Sequence, residues 1–177
     1  MSEHPLPKMI EPFKLVARRA LVDGLVELGS LPRLYAELAD KTSEVGFAEA
    51  ALAFQLDQQG YAFTSGHVKA TVGVVCQRCL GVVSIPLVAD VNWAFIKDED
   101  AFEDVPRAYD AILVEDEAIS LFNLIDEELL LVLPPIPMHE EGECRVPDHQ
   151  SSDEGFLDSS EQKKSPFEVL AGMKKKS

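Results

Sequence analysis

Two cysteines spaced by two residues, Cys76-Gln77-Arg78-Cys79, are the side chains best placed to do chemistry in this chain. A C-x-x-C pair in a tight turn aims both thiolates at one point, which is half of the four-ligand set that zinc takes. A third thiol, Cys144, follows much later, with His139 before it and Gly142 between them to permit a sharp turn. Cys76, Cys79, His139 and Cys144 would make a site of three thiolates and one imidazole, and His149 is a spare nitrogen donor. The residues alone leave three readings open: a metal half-site completed from downstream, two small thiols at a hairpin end, or a redox dithiol. A redox dithiol is expected beside a βαβ pattern, which the surrounding sequence does not have.

The cysteine pair sits between two stretches of period two. Val68, Ala70, Val72, Val74 and Cys76 share one phase before it; Val83, Ile85, Leu87, Ala89, Val91, Trp93 and Phe95 share one phase after it. Such alternation predicts strands with one buried face. Pro86, in the polar phase, predicts an edge position or a bulge. Upstream, Ala50, Leu52, Phe54 and Leu56 alternate too, while Val45 and Phe47 fall in the opposite phase, so a bulge or a break is expected near Ala48. Asp57 to Gly60 reads as a turn, Lys97 to Arg107 as an exposed loop, and Tyr109 to Val114 as one further strand.

Helices are expected at three places. Pro12 to Ala20 reads as extended chain or a short helix; Leu31 to Leu38 has a proline in its first turn. Leu121 to Val132 follows Ser120 as N-cap and stops at Pro134-Pro135. Its apolar stripe reads as Phe122, Ile125, Leu129 and Val132, widened by Leu121, Leu124 and Leu131. The expected fold is α+β: an antiparallel β-meander or partly closed barrel with this Leu-rich helix packed on it. One domain is expected over 1–147, a disordered linker over 148–165, and a short tethered helical motif over 166–177, where Phe167, Leu170 and Met173 would share a face.

Composition narrows the function. Lys+Arg 16 against Asp+Glu 31 gives a net charge of −15, which repels phosphate backbones and suits basic partners. Lys14, Arg18 and Arg19 form the one early basic group, read as an RNA-contact patch or as an ordinary charged face. Trp93 reads as core, and Glu127 and Glu128 as the polar face of the helix. Three cysteines argue against a secreted disulfide framework. The first ten residues lack the apolar run of a secretory signal, and no stretch reaches the roughly 18–20 apolar residues of a membrane span. A cytoplasmic protein away from membranes is the expectation. Neither a phosphate loop, nor a dinucleotide fingerprint, nor a nucleophile elbow, nor an H-E-x-x-H pair occurs, so no catalysis is expected.

Three segments in order carry a family resemblance: Val75-Cys76-Gln77-Arg78-Cys79; Glu127-Glu128-Leu129-Leu130-Leu131-Val132-Leu133-Pro134-Pro135-Ile136-Pro137-Met138-His139; and Ser165-Pro166-Phe167-Glu168-Val169-Leu170-Ala171-Gly172-Met173-Lys174. Together, over nearly the whole chain, they resemble the bacterial YceD family. The resemblance implies a non-catalytic role in accumulation of large-subunit (23S) ribosomal RNA, hence in ribosome biogenesis. It implies as partner ribosomal RNA or a pre-ribosomal particle, with an adaptor for a basic ribosomal protein as the alternative. It also implies a structural zinc ion, the cysteine pair being Cys76 and Cys79 and the later ligand positions His139 and Cys144. Some branches of the family carry more cysteines after the proline segment, where this chain has Cys144 alone.

Overall fold

A computed structural model describes residues 4–41 and 46–144. The expected linker over 148–165, the motif over 166–177, His149 and Val45 lie outside the described residues. The described chain runs β1 (Met9–Ile10), α1 (Pro12–Ala17), β2 (Leu21–Glu27), α2 (Pro32–Glu37), β3 (Phe47–Leu56), β4 (Ala62–Val75), β5 (Val82–Ile96), β6 (Asp110–Leu113), β7 (Ile119–Ser120) and α3 (Leu121–Val132).

Five strands form one sheet in the order β2-β3-β4-β5-β6, and β1 pairs with β7 in a separate small ladder. Period-two burial explains the long central hairpin. Val68, Val72, Val74, Leu87, Val91 and Trp93 are buried on one face, while Lys69, Thr71, Asp90 and Asn92 face outward. β4 and β5 stay in register from Ala62↔Phe95 to Val75↔Val82. The sheet is open, with β2 and β6 as its edges, and so stops short of a barrel.

Two expectations are corrected. No bulge interrupts β3: Ala48 pairs with Ala70 and shares the buried phase of Ala50, Leu52 and Phe54, and Phe47 is simply an exposed outer-face residue. β6 joins β5 in parallel, Trp93↔Asp110 to Ile96↔Leu113, because the chain crosses back over residues 97–109 before pairing. Parallel pairing needs such a crossover, whereas a meander would have turned at once. β6 covers only the last four residues of β5, so Pro86 does lie where β5 is an edge.

Helices α2 and α3 cover the inner face of the sheet. α3 starts where the Ser120 hydroxyl accepts the Asn123 N–H at 3.2 Å. It ends at Leu133, which is extended because the residue before a proline is pushed out of the helical region. Its buried stripe is Leu121, Ile125 and Leu129 together with Asp126; Leu131 is 80% exposed and Val132 lies at the surface. The helix is thus rotated from the expected stripe, and α2 supplies the reason. Pro32 opens α2, and its N-cap, Leu31, has no side-chain acceptor. The orphan donors of the first turn need one. Asp126 provides it: its two carboxylate oxygens accept the Arg33 N–H at 3.0 Å and the Leu34 N–H at 2.8 Å. Outside this buried contact, Arg33 pairs with Glu127 at 2.9 Å.

One position later, Glu128 accepts the Trp93 indole N–H at 2.6 Å. Burial pushes the Glu128 carboxyl above its usual range; the indole donor opposes this, and Asp110 and Glu127 reinforce it. Near the N-terminus, Leu6 N–H donates to the Leu25 carbonyl and Leu25 N–H donates to the His4 carbonyl, at 2.9 Å each. Gly24 permits that close crossing, since a Cβ there would run into the His4 carbonyl.

Two stability predictions follow from α3. Asp126→Ala strands one buried and one part-buried N–H group and is expected to cost about 2–3 kcal/mol in urea unfolding; an unchanged midpoint would refute the cap. A raised Glu128 pKa stabilises the fold fully below about pH 4.3, and that contribution is lost as pH rises through the folded value. Glu128→Gln keeps an acceptor for Trp93 without a titrating charge, so its stability–pH profile is expected to be flatter above that pH. Glu128→Leu strands the indole N–H and is expected to cost about 1–3 kcal/mol. Equal slopes for wild type and Glu128→Gln would count against this account.

Candidate metal centre

β4 ends at Val75, and the chain then folds over a knuckle whose backbone bonds to itself. Cys76 N–H donates to the Gly81 carbonyl at 2.8 Å, and Leu80 N–H donates to the Cys76 carbonyl at 2.9 Å. Leu80 takes a left-handed φ of 60° to close the turn, a conformation that is costly for a branched side chain. This conformation directs backbone N–H groups at the sulfurs. Cys76 is fully buried, which raises its pKa, but N–H donors from Cys79, Arg78 and His139, with the His139 ring, outweigh burial and bring it to about 5. Gly81 N–H donates to the Cys79 sulfur and lowers its pKa; the neighbouring Cys144 and Cys76 thiols and burial more than reverse this, so Cys79 is raised overall.

The downstream half of the group arrives from α3. After Leu133 the proline run carries the chain along the end of β4, where Gln77 N–H donates to the Pro137 carbonyl at 2.9 Å. His139 and Cys144 come in behind it. The Cys76 and Cys144 sulfurs are 3.8 Å apart, and His139 Nδ1 is 3.5 Å from the Cys79 sulfur. Ligand atoms of all four residues lie within 4.8 Å of one another.

These spacings fit a tetrahedral ion. Bonds of about 2.3 Å to sulfur and 2.0–2.1 Å to nitrogen put two thiolates about 3.8 Å apart, and thiolate and nitrogen about 3.5 Å apart. A disulfide would need about 2.05 Å. The imidazole is set for ligation too. Its Nε2 lies 3.0 Å from the Val82 carbonyl, which can only accept, so the proton belongs on Nε2 and the Nδ1 lone pair faces the sulfurs. Arg78 leans across the group. Its guanidinium reaches the His139 and Glu140 carbonyls at 3.4 Å each, and a hydrogen bond to Cys144 holds it more firmly protonated. Arg78, exposed in the turn, thus clips the knuckle to the downstream segment.

The basic group is elsewhere. Ala20, just past α1, accepts the Phe54 N–H, so α1 lies toward the end of the sheet where Phe54 meets Thr64, away from the Val75 end of β4. Lys14 is taken up by Glu11 and by Glu117, the latter at 3.5 Å, which raises its pKa. Arg18 and Arg19 are exposed with no recorded ion pair among the described residues. What the sequence reading missed is the support of the group: the Val82 carbonyl and the Gln77–Pro137 bond. Neither has a signature beyond the short Cys79–Val82 spacing.

A family model described as Large ribosomal RNA subunit accumulation protein YceD matches residues 64–174. A curated protein of Haemophilus influenzae, named Large ribosomal RNA subunit accumulation protein YceD, is 29% identical over 177 residues, covering 99% of this chain and 100% of that protein. No solved structure matches. The cysteine knuckle, the His139 segment and α3 all fall inside the matched region.

Titration of the reduced chain with zinc is expected to saturate at one ion per chain. Cys76→Ser and Cys144→Ser are each expected to weaken zinc binding by more than about tenfold. Cobalt substitution gives the diagnostic reading: intense tetrahedral d–d bands with thiolate charge transfer. Substoichiometric metal in wild type and Cys76→Ser alike would eliminate the site.

Proposed function

The chain belongs to the YceD family, and from that premise we propose that it acts without catalysis in accumulation of large-subunit (23S) ribosomal RNA, as an acidic protein whose fold is stapled by zinc on Cys76, Cys79, His139 and Cys144. One observation carries the structural part of this reading: four protein donors within 4.8 Å of one another, two of their spacings those of a tetrahedral ion, with His139 Nε2 set on the Val82 carbonyl so that Nδ1 is free to ligate. Four protein ligands close a zinc site, whereas catalytic zinc keeps a position free for water or substrate. When bound, the ion supplies a cross-link and no reaction. Cys76 and Cys79 hold the hairpin tip, His139 and Cys144 hold the segment after α3, and Arg78 offsets part of the thiolate charge.

Two modes of action differ in what touches the partner. Direct RNA contact would run through Lys14, Arg18 and Arg19. An adaptor for a basic ribosomal protein would use the acidic surface instead. The net charge of −15 and the engagement of Lys14 by two glutamates favour the adaptor. A field of that sign attracts cationic proteins and repels phosphate.

Affinity purification of the full chain, with and without nuclease, separates the two. The adaptor mode expects a basic protein that still co-purifies after nuclease, and large-subunit RNA accumulation that is insensitive to Arg18→Glu with Arg19→Glu. RNA bound directly, with affinity falling steeply in salt and lost in that double variant, would overturn the adaptor mode. Normal large-subunit RNA levels in cells lacking the protein would overturn the proposal as a whole.

A further inference from the structure

The proline segment after α3 does more than reach the cysteines. It forms one wall of a groove of about 520 Å³ against the end of β4 and the end of α2. Leu38, Val74, Leu130 and Leu133 contribute its apolar lining. The surface beside it is apolar to an unusual degree: Leu131 is 80% exposed, Ile136 63% and Met138 49%, with Val75 also at the surface. Large side chains left in water together on one end of a small protein mark a contact surface.

Charge identifies the occupant. Glu37 lines the groove, and Glu140, Glu141 and Glu143 are exposed just beyond Met138. Among the described residues the nearby cations are Lys41, whose Nζ donates to the Ala36 carbonyl at 2.8 Å, and Arg78, which donates to the His139 and Glu140 carbonyls; the four glutamates outnumber them. Both flanking helices also end here, α2 at Glu37 and α3 at Val132. Helix C-termini present carbonyl oxygens and the negative end of the helix dipole, which favour cations. Apolar floor, acidic rim and two helix C-termini together fit apolar anchors flanked by Lys and Arg, and disfavour RNA.

The geometry points to this groove as the docking site for a basic, amphipathic segment of a partner protein. This rests on the adaptor mode and gives it a surface. Leucine-type side chains of the segment enter between the end of β4 and the proline wall, and its lysines or arginines meet Glu37 and the acids after Met138. The Gln77–Pro137 bond holds the wall in place.

The test uses the purified full chain and a labelled synthetic helix with leucines on one face and lysines on the other, read by fluorescence anisotropy. Control helices carry glutamate for lysine, or serine for leucine. Saturable binding of the Leu/Lys helix alone is expected. Ile136→Ser with Met138→Ser is expected to weaken it about tenfold, and Glu37→Lys several-fold, with the Glu37→Lys effect shrinking at high salt. Ile136 and Met138 are exposed, so an unchanged thermal midpoint verifies that these variants remain folded. Equal binding of the glutamate helix, or affinity untouched by the variants, would overturn the proposal. Self-association of the full chain abolished by Ile136→Ser with Met138→Ser would overturn it too, by making this face an interface between copies. Peptide binding with purified components is independent of cellular co-purification, so loss of the adaptor mode and loss of this site are read separately.

Discussion

The contact between Asp126 and the first turn of α2 fixes much of the architecture around the cysteine group. α2 opens on a leucine and a proline, and neither side chain can accept its free N–H groups. The acceptor comes from more than ninety residues away, with both carboxylate oxygens used. Such a contact sets three things at once: the rotation of α3 about its axis, its height along the sheet, and its angle to α2. With Asp126 turned inward, Leu121, Ile125 and Leu129 face the core and Leu131 cannot. Glu128 is carried over Trp93. The C-terminus of α3 is then aimed so that Pro134 to Cys144 passes the hairpin tip. Position, not the intrinsic affinity of any one thiol, is what brings His139 to Cys79.

Much of this was legible in the sequence because strands and caps write local patterns. The long β4–β5 hairpin with a cysteine knuckle at its tip, and α3 from Ser120 to the proline pair, needed only periodicity and terminators. Four ligands that could share an ion were legible from residue type, although the meeting of distant halves was not. The failures have a common physical form. The rotation of α3 hid in Asp126, since a buried carboxylate is recognisable only once its distant N–H partners are known. The supposed bulge at Ala48 arose from giving Phe47 a core role that position did not grant it. The parallel β6 depended on a crossover path through a loop with no periodic signal.

The distribution of charge ties the two ends of the molecule to different tasks. Lys14 is balanced by Glu11 and Glu117 near α1, and Lys97 sits 4.9 Å above the Phe13 ring. These cations serve the fold where they stand. At the other end, Arg78 serves the cysteine group and Lys41 the end of α2. Among the described residues the exposed acids there, Glu37, Glu140, Glu141 and Glu143, outnumber the cations Lys41 and Arg78, so the field at the groove keeps the sign of the whole chain. An anionic polymer approaching this end would meet repulsion and a surface with little to stack on, since Trp93 is buried in the core.

A small domain that keeps large apolar side chains in water must also stop them from collapsing onto one another. Ile136 and Met138 belong to a stretch without regular secondary structure, tethered to the knuckle after β4 by one backbone bond, Gln77 to Pro137, with the Arg78 clip and the His139–Val82 contact just beyond. One such bond is worth only about 1 kcal/mol, too little to hold a segment against fluctuation. The cysteine–histidine group lies immediately beyond, with its two halves on either side of that bond. A cross-link there would hold the proline wall open at its far end, while the Asp126 cap fixes α3 at the near end. With an ion bound, the groove would be held between two non-local constraints, one the Asp126 carboxylate on two amides, the other an ion on Cys76, Cys79, His139 and Cys144. On this view the sulfur chemistry serves geometry: Cys76 and Cys79 matter for the shape of a surface several residues away from them.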